Sequence, residues 1–174
     1  GFESNFDNWG TNGITSISSV VNLPKADGSG DVVSFLPFEG DKMAGITYSA
    51  LQIDGFVWDN YIYQKVNLGP NDKLLSFYYN FWTYDEAPFD NPGFLVEINN
   101  ETKLSVKAGD IGDGVAGNLH YTGWQFYSID VSGFYSDDPG RPASIRISFN
   151  AGNAADSLNP SGGFIDAVAM NHGH

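Results

Sequence analysis

The 174-residue chain has no cysteine, only 8 lysines and arginines, and no apolar run long enough to span a membrane. Each absence excludes something. Without cysteine there is no disulfide framework and no thiol nucleophile, although a reducing compartment and a staple-free secreted bacterial or archaeal domain are equally compatible with that count. Against the 8 basic residues stand 21 aspartates and glutamates, for a formal net charge of −13. Nucleic acids and anionic membrane surfaces select for basic patches, so neither is expected as a partner. A spanning helix needs about 20 consecutive apolar residues, and its absence excludes insertion by helices. No basic stretch followed by an apolar one opens the chain, and a start at Gly1 without methionine suggests a processed mature end, though a trimmed chain would look the same. Helical periodicity is scarce as well, with no sustained i, i+3, i+4, i+7 apolar spacing.

What is present is short alternating runs punctuated by 21 glycines and 8 prolines, the all-β pattern. Residues 1–9 read as a first strand with a turn at 10–13. Further strands are expected over 14–22, 31–38, 42–48, 61–68, 73–84, 93–98, 102–107, 124–131, 144–149 and 163–170, with loops at 25–30, 54–60 and 108–121. That gives ten or eleven strands, no linker and no fixed repeat, hence one domain over 1–170 with a tail at 171–174. Two packed antiparallel sheets, a β-sandwich of jelly-roll topology, is the architecture expected.

The stretch from Lys73 to Tyr84, K-L-L-S-F-Y-Y-N-F-W-T-Y, is the longest strand and carries aromatic residues on both faces. Strand side chains alternate, so Leu75, Phe77, Tyr79 and Phe81 share a core face. Tyr78, Asn80, Trp82 and Tyr84 share the other, which the sequence offers to a partner. Trp58, Tyr61, Tyr63 and Tyr127 are candidate neighbours. Sugars stack flat C–H faces on aromatic rings while amides fix their hydroxyls, so this set suits a glycan. It equally suits a protein interface or a second core.

Several motifs in order resemble a known group. The opening F-E-S-N-F-D-N-W is similar to the start of carbohydrate-binding-module-like jelly rolls. F-E-G-D-K-M-A at 38–44, F-Y-Y-N-F-W-T-Y-D-E at 77–86, T-G-W-Q-F-Y-S-I-D-V-S at 122–132 and D-S-L-N-P-S-G-G-F-I-D-A-V at 156–168 resemble successive blocks of the bacterial choice-of-anchor surface domains, often carried with PEP-CTERM anchors. The resemblance covers nearly the whole chain. It implies a secreted, extracellular, non-catalytic cell-surface sandwich, often holding a structural Ca²⁺. Two departures stand out: an Asp those domains often carry before Gly93 is absent, and the chain ends at His174 without an anchor.

The resemblance maps the calcium ligands onto Glu3 and Asp166, with Glu39, Asp41, Asp85, Glu86 and Asp156 as further carboxylates; a hard cation of this kind collects six to eight oxygens. No EF-hand loop, G-x-S-x-G or H-E-x-x-H motif occurs, and the histidines lie in a Gly-rich loop and the tail, so no enzyme is expected. Asn100-Glu101-Thr102 is an N-glycosylation acceptor at an expected turn. Two functions follow. One is a calcium-stabilised module binding a glycan or surface polymer through its aromatic face. The other is a structural subunit that binds copies of itself into a filament or layer, with residues 1–6 as a donor strand.

Overall fold

A computed structural model of the chain describes residues 2–48, 60–84, 93–111, 117–138, 144–152 and 161–172. Trp58, Asp85, Glu86 and Asp156 lie outside the described residues. The described elements are β1 (Gly10–Asn12), β2 (Thr15–Ser18), β3 (Val21–Pro24), β4 (Val32–Phe35), β5 (Met43–Tyr48), β6 (Asn60–Asn67), β7 (Asp72–Thr83), β8 (Gly93–Ile98) and β9 (Glu101–Lys107). They continue with a single-turn helix α1 (Ala108–Ile111), β10 (His120–Tyr121), β11 (Gln125–Asp130), a 3₁₀ turn at Ser132–Phe134, β12 (Ser144–Gly152) and β13 (Ser161–His172).

The strands form the antiparallel jelly-roll sandwich that the alternating runs predict. One sheet has the order β1-β6-β12-β8-β9; the other is β10-β7-β13-β5-β2, with β11 sharing the β7 edge with β10. Between them lie Phe77, Phe81, Phe94, Phe149, Ile62, Ile98 and Ile147, all buried. The rings meet at angles suited to their quadrupoles: Phe77 and Phe149 are 5.0 Å apart at 83°, and Tyr79 and Phe94 are 5.5 Å apart and nearly parallel. The odd residues of β7 are thus the core face, as their spacing predicts.

Two features depart from the sequence reading at the ends. Residues 3–8 are turns, not a strand. Their aromatic residues, Phe2, Phe6 and Trp9, are spaced four and three apart, which a period of two cannot bury on one face. Asn5 and Asn8 take left-handed backbone (φ 58° and 67°), which Asn tolerates. The segment folds into a plug in which Phe2 is wholly buried against Phe6 and Trp9, and Trp9 reaches Phe149. It is therefore part of this chain's own core and not a free donor strand. At the other end β13 runs on to His172, so residues 171 and 172 belong to the sheet and not to a tail.

The even face of β7 departs most. β3 and β4 pair only with each other, as a two-stranded ribbon, and its Phe35 joins Met43, Trp82, Tyr84 and Phe164 in a second apolar cluster, with Val21, Leu23 and Val33 packed against it. Trp82 is 4% exposed and Tyr84 7%. Room for both aromatic layers comes from Gly162 and Gly163 on β13. A Cβ at Gly162 would lie 2.6 Å from the Trp82 indole, and one at Gly163 2.8 Å from the Phe94 ring on the core side.

Two outcomes follow. Trp82→Ala should cost about 3–5 kcal/mol, the range for deleting a buried large aromatic, read as a lower midpoint in denaturant unfolding. The Tyr84 hydroxyl donates to the Pro24 carbonyl (2.6 Å), and burial raises its pKa above the ordinary phenol value of 10.0. A raised folded value means the stabilisation is complete below the unfolded value and is lost as pH climbs through the folded one. Stability should therefore fall above about pH 10, and Tyr84→Phe should flatten part of that slope. Tyr79, which burial also raises, contributes in the same direction.

Candidate functional site

With the outer face of β7 covered, the open aromatic surface lies on the other sheet. Ile62 is buried in the core, so alternation turns Tyr61, Tyr63 and Lys65 outward from β6. On β12 the buried residues Ile145, Ile147 and Phe149 turn Arg146, Ser148 and Asn150 to the same side, and on β8 Val96 and Ile98 do so for Leu95 and Glu97. The register assembles these into rows across the sheet. Tyr61 faces Asn150, which faces Leu95; Tyr63 faces Ser148, which faces Glu97; Lys65 faces Arg146.

Packing fixes these side chains. The Tyr63 ring leans over Gly10 of β1, where any Cβ would collide with it. The Arg146 guanidinium lies 4.4 Å from the Tyr63 ring centre and 5.7 Å from that of Tyr61, within cation–π reach of both. The two tyrosine rings are 5.8 Å apart at 50°. The Asn150 amide donates to the carbonyls of Leu95 and Ser148, both at 3.2 Å, and its oxygen accepts from the Ser148 hydroxyl at 3.1 Å.

The β8–β9 hairpin borders this surface. Asn99 and Asn100 both have positive φ (52° and 66°), the backbone of a two-residue type I′ turn. Asn99 is tied to β12: its Oδ1 accepts from the Arg146 N–H (2.9 Å), and its own N–H donates to the Arg146 carbonyl (3.0 Å). Asn100 is exposed at the tip. Tyr61, Glu97, Asn100, Arg146, Ser148 and Asn150 together line a shallow depression of about 220 Å³. A flat aromatic wall, a planar cation, an amide, a hydroxyl and a carboxylate thus converge on one open surface.

The residues expected to bind from β7 do not meet there. Asn80, Trp82 and Tyr84 are buried beneath the ribbon. Tyr78 is half-buried, with Phe38 stacked on it at 3.5 Å and 14° and Phe126 5.2 Å away. Tyr61 and Tyr63 are outward but on the opposite sheet, and Tyr127 packs toward Phe77, its hydroxyl donating to the Lys103 carbonyl. Alternation alone turns Arg146 and Ser148 outward. The missed signal was that Y-x-Y-x-K on β6 and R-x-S-x-N on β12 form matching outward rows.

Glu3 and Asp166 each bond the backbone of residues 38–42. Asp166 is fully buried at a β-bulge in β13; it accepts from the Ala167 N–H (2.7 Å) and the Glu39 N–H (3.1 Å). Glu3 Oε1 accepts from the N–H groups of Asp41 (2.9 Å) and Lys42 (3.0 Å). Glu3, Ser4, Glu39 and Gly40 line a depression of about 290 Å³. Among the described residues, no three His, Cys, Asp or Glu side chains group closely enough to hold a metal by themselves.

No family model matches the chain. No curated protein matches it either. Solved structures of similar fold include a family 61 carbohydrate-binding module in complex with β-1,4-galactotriose (16% identity, 99% of this chain and 94% of that one, TM-score 0.43). A family 51 module from Clostridium perfringens in complex with methyl-galactose is similar at 13% identity over 95% and 94% of the two chains, TM-score 0.42. The K1 cleaved adhesin domain of Lys-gingipain from Porphyromonas gingivalis is similar at 15% identity over 92% and 90%, TM-score 0.46. The galactosides are ligands of those modules; what this chain has in common with them is an antiparallel β-sandwich.

Proposed function

We propose that this protein is a secreted, non-catalytic glycan-binding module that holds a surface polymer or oligosaccharide against the outer face of the β1-β6-β12-β8-β9 sheet. The observation that carries the reading is the juxtaposition of Tyr61 and Tyr63 with Arg146, Ser148 and Glu97, all part-exposed, around a buried Asn150 on one outward face. Sugar rings present apolar C–H faces and polar rims. Aromatic side chains take the first, and a mixed set of donors and acceptors takes the second. A shallow, open depression suits a chain passing across it better than a small molecule enclosed by it.

Calcium forms the second part of the proposal. The donor set near residues 38–42 is all oxygen, with no sulfur or imidazole, which suits a hard cation. Glu3 and Asp166 would hold the ion from two sides of that loop, with Glu39 and Asp41 beside it and backbone carbonyls and water completing the shell. Bound there, the ion would neutralise a concentration of like charge and tie the N-terminal plug to the last strand. Asn100, exposed at its turn, would accept an N-linked glycan at the rim of the site if the chain passes through a glycosylating secretory route.

A specific observation favours a second reading, the self-assembling subunit. Strand β11 lies at the edge of its sheet, and beside it stand Phe126 (58% exposed), Leu36, Phe38 and Tyr121. An open edge next to exposed rings is a surface on which copies of the chain could pair.

Tyr61→Ala combined with Tyr63→Ala should abolish retention on a cognate polysaccharide in affinity electrophoresis while leaving the melting temperature within a few degrees of wild type. Unchanged retention would overturn the assigned face. Chelation should lower the melting temperature, since an ion present at about 100 times its dissociation constant stabilises by about 2.7 kcal/mol; Glu3→Gln should remove that response. Light scattering in both conditions separates the two readings. A monomer near 18.9 kDa fits the module, and large assemblies would fit the subunit.

A further inference from the structure

Resting on the glycan reading above, we propose that the ligand of this face is acidic: a polysaccharide whose sugars carry carboxylates, with Arg146 as the group that receives the carboxylate. The chain has 8 cationic residues against 21 acids. Among the described residues the Arg146 guanidinium makes neither an ion pair nor a hydrogen bond. It packs on the two tyrosine rings, and its Nε is buried without an acceptor. The terminal Nη groups remain to recognise a ligand.

The guanidinium is also held in place. Gly10 lets Tyr63 lie flat along the edge strand, Tyr63 stacks on Arg146, and the Arg146 backbone is clamped by Asn99 at 2.9 and 3.0 Å. A planar, pre-oriented fork of donors matches the two oxygens of a carboxylate, and its ordering cost is met before binding. Lys65, opposite Arg146 in register and exposed, places a second cation at the same end of the surface. Glu97 lies one row away, opposite Ser148 and beside the Asn150 row. It would repel a carboxylate but accept from hydroxyls. Arg146, Glu97 and Asn150 line one depression, so the carboxylate goes to the guanidinium and neutral hydroxyls to the groups beside it.

The test uses the full chain in affinity electrophoresis against polygalacturonate, alginate and hyaluronan, each beside its carboxyl-reduced counterpart, with dextran sulfate as an anion lacking carboxylates. Wild type should bind at least one carboxylated polymer about 10–100-fold more tightly than its reduced form, the range for a charged hydrogen bond. Raising salt should weaken that binding. Arg146→Gln should weaken binding of the carboxylated polymer about 10-fold or more beyond whatever it costs the reduced polymer, and Arg146→Lys should restore part of that difference. Equal binding of carboxylated and reduced polymers, or an unchanged preference in Arg146→Gln, would overturn the acidic-ligand inference while leaving the glycan reading intact. Equal or tighter binding of dextran sulfate would overturn the carboxylate assignment. Retention by no polymer of either kind would overturn both.

Discussion

The burial of β7 on both faces is the constraint from which the rest of this structure follows. A twelve-residue strand with aromatic residues in both registers cannot lie at the surface of a simple two-layer sandwich without leaving a large apolar area in water. One face is covered by the opposite sheet. The other is covered by the β3–β4 ribbon, a third layer that hydrogen-bonds to neither main sheet as a strand. Gly162 and Gly163 make this geometrically feasible, since the neighbouring strand must pass between an indole on one side and a phenyl ring on the other.

Covering one sheet twice leaves the other covered once. The β1-β6-β12-β8-β9 sheet keeps a solvent-facing side, and there polar and aromatic residues alternate with the core residues as expected of a half-buried antiparallel sheet. Its open face is built from three strands distant in sequence, and each contributes two or three side chains. The order of its parts is hierarchical: a glycine on the edge strand sets a tyrosine, the tyrosine sets an arginine, and a turn asparagine fixes the arginine's backbone. Side chains supported in this way are ordered in the free protein, which lowers the entropy that any ligand of theirs would cost.

The charge distribution adds a further element. A net charge of −13 disfavours anionic surfaces in general, and against that background Lys65 and Arg146 stand opposite each other on one face. The acidic groups bonded to residues 38–42 lie at another location. There Asp166 and Glu3 take backbone N–H groups from one loop and so hold the N-terminal plug, the loop and the last strand together.

Alternation within each run determined the all-β class, most strand positions and which side chains share a face, because the period of two is a local property of the backbone. It determined that Phe77 and Phe81 lie together on one side of β7 and Trp82 and Tyr84 on the other. It could not determine which of those sides meets water, because that depends on whether a third layer arrives. The residues that cover Trp82 come from positions 21–35, some fifty residues earlier. For the same reason the outward rows on β6 and β12 were legible as outward but not as adjacent: only the register of strands about eighty residues apart brings Tyr63 opposite Ser148 and sets Arg146 over its ring. The opening segment misled because aromatic residues suggest a strand, while their spacing of four and three is met by a turn-built plug. Local pattern decided the faces; tertiary packing decided which face is the surface.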